Sequence, residues 1–149
     1  MGLREVAISG LVAGVVAFIL SIAYFMSPFV SDFSAQYAGW TGYKGMESFG
    51  GYNNWLIFLL LGNIITLFFA AVLYSYTEAG IDVENIWKKG AFFGFLVFLV
   101  SSVPTAYFKW LLYSYSDVLN MVDLVGMLIN GVVSGIVLAI VYEKLSKKK

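Results

Sequence analysis

Apolar residues in this chain come in four long runs, Val6 to Met26, Trp55 to Tyr76, Ala91 to Tyr113 and about Leu119 to Tyr142. The first holds 21 residues without a charge, and at 1.5 Å rise per residue such a run crosses a hydrocarbon core about 30 Å thick. Backbone groups in hydrocarbon must pair within their own segment, so each run is read as a helix. The pattern predicts an all-α polytopic membrane protein: a four-helix transmembrane bundle forming one domain over residues 1–149, with a short interfacial helix in the first outer loop. Tyr74, Tyr76, Trp87, Trp110, Tyr113, Tyr115 and Tyr142 fall at run ends, where amphipathic rings favour the headgroup level. The rival reading of the first run is a secretory leader. Such a leader has a shorter apolar core and a small-residue cleavage site, whereas Tyr24, Phe25 and Met26 follow here, so a retained span is expected.

The stretch from Ser27 to Asn54 starts with a helical pattern. Ser27 is an expected N-cap with Pro28 at the first helical position, and Phe29, Phe33, Tyr37 and Trp40 recur at spacings of four, four and three, making one aromatic face. That face suits a helix lying in the membrane interface. Gly39, Gly42, Gly45, Gly50 and Gly51 follow. They lack the order of a phosphate-binding loop and read as a tether, with a loop that approaches a ligand closely as the alternative. In the loop from Thr77 to Gly90, Gly80 is the expected C-cap of the second span and Asp82 the expected N-cap of the third.

Charge adds orientation. Arg4, Lys88, Lys89, Lys144, Lys147, Lys148 and Lys149 fall on one side, and Lys44 and Lys109 on the other. Seven cations against two predict a multi-pass protein of the cell membrane with both termini cytoplasmic. The composition agrees: 12% charged and 60% hydrophobic residues, against roughly 25% charged in soluble domains. With no Cys and no His, thiolate chemistry, His-ligated metals and haem, a Ser-His-Asp triad and an imidazole pH switch are excluded. No cofactor is expected. Zero net charge and the lack of a basic patch outside the C-terminal tail argue against nucleic acid.

Within the spans, Lys109 and Asp123 are the only charged side chains. A short outer turn sets them at similar depth, so an ion pair is expected, either as a proton or cation site or as a snorkelling pair near the interface. Deeper lie Asn63 and Thr66 in the second run and Asn130 and Ser134 in the fourth. Asp123, Asn130 and Ser134 share a face by spacings of seven and four. They read as interhelical packing contacts or as a polar line with Asn63 facing Asn130 across the bundle. Gly10 and Gly14, Gly90 and Gly94, and Gly131 and Gly135 have the GxxxG spacing of close helix contacts, within the chain or between protomers. Pro104, after Ser101 and Ser102, should kink the third span.

A faint repeat runs through the same residues. Gly10, Gly14 and Ser21 match Gly90, Gly94 and Ser101 at an offset of 80, and Thr66, Ala71 and Tyr74 match Ser134, Ala139 and Tyr142 at an offset of 68. The offset changes in the loops, as a duplicated helical hairpin requires, and parallel repeats about an axis along the membrane normal would result.

Tyr24, then Ser27, Pro28 and Phe29, with a later Pro in the third span and an Asn in the fourth, make a layout that resembles a family of small prokaryotic four-span membrane proteins with an aromatic-Ser-Pro segment after the first span. Phe25 and Met26 separate Tyr24 from Ser27 here, a departure from that motif. The resemblance implies the four-span architecture and no particular activity. No catalytic constellation is visible, so the expected role is non-enzymatic: a subunit or partner-binding protein of a membrane complex, in contact with the lipid bilayer and with other membrane chains or copies of itself. The alternative is a small oligomeric channel or carrier using the Asp123, Asn130 and Ser134 face. A third reading, a binder of or enzyme on lipid-like substrates, would need the aromatic face with Asp32 or Glu47.

Overall fold

The computed structural model describes residues 2–36, 46–112 and 116–147. Helix α1 is Leu3–Phe25, α2 Pro28–Gln36, α3 Tyr52–Thr77, α4 Ile86–Val97, α5 Val103–Leu112 and α6 Asp117–Ser146. A π-helical turn, Phe98–Ser102, joins α4 to α5 into one span. Among the described residues, four helical segments are long and apolar enough to cross a membrane: Leu3–Phe25, Tyr52–Gly80, Ile86–Leu112 and Asp117–Ser146. The protein is therefore an all-α, multi-pass membrane bundle.

Local chemistry sets the breaks. Pro28 has no N–H to continue α1 and opens α2 instead. The Ser27 hydroxyl donates to the Tyr24 carbonyl at 2.6 Å and accepts from the Val30 N–H at 3.4 Å. Gly50 and Gly51 hold φ of 81° and 107°, a left-handed backbone that glycine adopts without steric penalty, and Gly51 turns the chain into α3. Two expected caps differ. The second span ends at Thr77 and runs into a 3₁₀ turn, Glu78–Gly80, with no left-handed Gly80. The third is capped by Asn85, not Asp82: its side-chain oxygen accepts from the Trp87 and Lys88 N–H groups at 2.9 and 3.2 Å. Asp82 lies four residues before Ile86, too far upstream to reach the first free N–H groups.

The helices adjoin in the order α3, α1, α6, α4. Helix α1 packs along both α3 and α6, and α6 along α4, while α3 touches α6 only slightly and reaches α4 through a ring contact at the end of the bundle that holds Leu3 and Ser146, called here the inner end. There the rings of Tyr74 and Phe93 touch edge-on at 5.0 Å, and Tyr74 meets Tyr142 at 5.5 Å. Val6, Ala13, Ala71, Leu138 and Ala139 complete this core. Tyr74 and Tyr142 are thus not the interfacial belt residues that their positions predicted. They are 0% and 4% exposed and fill the bundle centre, whereas Tyr76, Trp87 and Trp110 are exposed as a belt requires. Tyr113 and Tyr115 lie outside the described residues.

The glycines explain the close approach. A β-carbon at Gly10 would lie 2.8 Å from the Phe68 Cα, and one at Gly14 2.7 Å from the Ile64 Cα. At Gly90 it would lie 2.6 Å from the Ile136 Cα, and at Gly94 3.1 Å from the Val132 Cα. These are backbone-to-backbone crossings within the chain. They also carry the repeat: adding 80 to Gly10 and Gly14 gives Gly90 and Gly94, and adding 68 to Phe68 and Ile64 gives Ile136 and Val132. The α1–α3 hairpin and the α4/α5–α6 hairpin cross at equivalent residues.

Candidate functional site

Lys109, one turn before the end of α5, and Asp123, two turns into α6, form the expected ion pair, Nζ to Oδ2 at 3.2 Å. Their side chains are 33% and 15% exposed, an intermediate position at the outer end of the bundle. Asn120, 6% exposed, lies one turn earlier on α6 and donates to the Ala106 carbonyl at 2.9 Å. These two polar contacts tie α5 to α6.

Deeper on α6, Asn130 turns towards α1. Asn130 donates to the Ala17 carbonyl at 3.1 Å and to the Ser21 hydroxyl at 2.8 Å, and its own oxygen accepts from Ser134 at 2.9 Å. Ser21 can serve because Ala17 and Ala13, both essentially buried, let α6 approach α1 closely. Tyr24 closes the outer end of the same seam, donating to the Val122 carbonyl at 2.8 Å. Its ring lies against Gly126, where any β-carbon would meet it at 2.5 Å.

Asn63 is not brought to Asn130. Its amide donates to the Leu59 carbonyl of its own helix at 2.8 Å, and the physical reason is helix order: α1 stands beside α6 and supplies the partners that the polar-line reading assigned to α3. Thr66 is exposed on α3. Of the aromatic face, Phe29 is 65% exposed on α2. Phe33 lies in α2 but its side chain is outside the described set, as are Tyr37 and Trp40. Among the described side chains of α2, Val30 is buried.

Four residues with a structural part lacked a readable signal. Glu5 sits inside α1 at 4% exposure, its carboxylate folded back beside Gly2, the N-cap, where the positive end of the helix favours an anion. Ser9, fully buried, donates to the Glu5 carbonyl at 2.7 Å. The Tyr74 hydroxyl is buried without a hydrogen-bond partner among the described residues, as is the Asn120 side-chain oxygen. Only the offset that pairs Tyr74 with Tyr142 hinted that these rings face inwards.

Among the described residues no group of three or more acidic side chains is arranged to hold a metal ion. Tyr24, Asn120, Asn130 and the Lys109–Asp123 pair join helix to helix, while Ser9 and Asn63 bond within their own helices. Compared with family models, with curated proteins and with solved structures, the chain matches none.

Proposed function

We propose that this multi-pass membrane protein is a non-enzymatic, partner-binding subunit of a membrane complex, seated in the cell membrane with both termini in the cytoplasm. The cation asymmetry supports the orientation, since Arg4, Lys88, Lys89, Lys144 and Lys147 all flank the inner end. The observation that carries the role is the open side of α3. Of its 26 residues only Ala71 and Tyr74 are buried, whereas its counterpart α6 is clasped by α1 and by α4. At the middle of α3, Gly62 has nothing within 4 Å of a would-be β-carbon, and Thr66, one turn on, is exposed. This chain uses its other mid-membrane glycines at helix crossings, and a small, polar-edged surface of that kind fits a helix from another chain.

The channel or carrier reading has less support, because Asn130 and Ser134 spend their hydrogen bonds on the α1–α6 seam and Asp123 is paired with Lys109. Native mass spectrometry after extraction in mild detergent tests the subunit role. A stoichiometric complex with another membrane chain is expected, and it should be lost on Gly62→Leu while the isolated chain keeps its fold. Recovery of a lone chain from native membranes would overturn it.

A further inference from the structure

We infer that the outer third of the third span, α5, is a hinged arm held shut by the Lys109–Asp123 pair. The hinge is built into the backbone. At the π-helical turn the Val103 N–H reaches the Phe98 carbonyl, five residues back rather than four. Pro104 then removes the next donor, and its ring crowds the carbonyl four residues earlier. The wide turn ahead of it relieves that crowding. The Ser101 hydroxyl bonds the Val97 carbonyl and the Thr105 hydroxyl the Ser101 carbonyl, both at 2.7 Å. Hydroxyl bonds of this type satisfy loosened carbonyls and favour bending.

Beyond the hinge there is little to fix the arm. Ala106 is the buried residue of α5, while Tyr107, Phe108, Trp110, Leu111 and Leu112 are each more than half exposed. Among the described residues, the ion pair and the Asn120 to Ala106 bond join it to α6. The repeat sharpens the point. The position equivalent to Pro104 in the first hairpin is Tyr24, whose hydroxyl and ring fasten α1 to α6. The third span carries a hinge where the first carries a clamp. Release of the ion pair frees α5 to swing about residues 98–104 and uncovers Asp123 and Asn120 at the outer mouth, while α4 stays fixed to α6 by the glycine crossings.

The natural absence of cysteine makes the test direct. Spin labels at Leu112→Cys and Ile57→Cys, both exposed, report the arm against α3, and labels at Phe92→Cys and Leu73→Cys report the inner half. In lipid bilayers the parent protein should give a narrow outer distance. Asp123→Asn and Lys109→Gln should each add a longer-distance outer population and leave the inner pair unchanged. The charge-swapped K109D/D123K chain should return the narrow distribution, and Pro104→Ala added to Asp123→Asn should shrink the long population. Unchanged outer distances in both single variants, or equal broadening of the inner pair, would overturn the hinge. Failure of the charge swap to restore the narrow distance would overturn the latch.

Discussion

The two helical hairpins cross at equivalent positions, Gly10 and Gly14 over Phe68 and Ile64 in one, Gly90 and Gly94 over Ile136 and Val132 in the other. Their relations to each other are unequal. Helix α1 of the first packs closely on α6 of the second, but α4/α5 reaches α3 through the Tyr74–Phe93 ring contact near the inner end. The sequence explains the difference residue by residue. Where α1 has Ala13, Ala17, Ser21 and Tyr24, the third span has Phe93, Val97, Ser101 and Pro104. Ala13 and Ala17 allow backbones to close, as small residues do in membranes. Phe93 is a wedge, its ring held against Tyr74 at 5.0 Å. One repeated crossing therefore coexists with one tight seam and one open side, and the open side carries both the surface of α3 proposed to bind a partner and the exposed face of α5.

The glycine crossings should be the most sensitive to change. Gly14→Ala and Gly94→Ala each drive a methyl group into facing backbone, and overpacking of that kind costs about 1–3 kcal/mol. Thermal unfolding in detergent should show similar losses for both, since the crossings are equivalent. Loss in one alone would break the repeat. Next, Asn130→Ala removes the group that joins Ser21, the Ala17 carbonyl and Ser134, and should destabilise by about 1–2 kcal/mol, at the upper end for hydrogen bonds between membrane helices. Its counterpart across the open side, Gly62→Ala, touches nothing and should stay within about 0.5 kcal/mol of the parent.

Tyr74→Phe runs the other way. The hydroxyl is buried without a hydrogen-bond partner among the described residues, so deleting it should stabilise the bundle by about 1 kcal/mol, near the low end of the penalty for such a group. A fall in melting temperature would mean that the hydroxyl is satisfied in the membrane. A smaller loss than that of Asn130→Ala is expected from Tyr24→Phe, which gives up the bond to the Val122 carbonyl but keeps the ring on Gly126, a cost of about 0.6 kcal/mol.

Much of the fold was legible because hydrocarbon imposes simple rules. The expected spans differ from α1, α3, α4/α5 and α6 by a few residues at their ends, where cap geometry decides, as the exchange of Asp82 for Asn85 shows. The ion pair followed from one short turn. The π-helical turn follows from Pro104, whose position announced an irregularity without giving its type. Helix order was not legible: periodicity says which residues share a face but not which neighbour that face meets, and so the polar-line alternative set Asn130 opposite Asn63, where its partner is Ser21. Tyr74 and Tyr142 misled for a related reason, since a tyrosine near a span end can serve the headgroup region or the core. The glycine pairs did not say whether their partners lay in the same chain, which only backbone distances resolve.

The unequal sides of the repeat can be measured directly in this cysteine-free chain. Ser21→Cys with Asn130→Cys spans the tight seam, where the native side chains are 2.8 Å apart, and Ser101→Cys with Gly62→Cys is the equivalent pair across the open side. Under mild oxidation in membranes the first pair should form an intramolecular disulfide in high yield and the second should not. Equal cross-linking of both pairs within one chain, or failure of the first while the chain remains folded, would contradict the account.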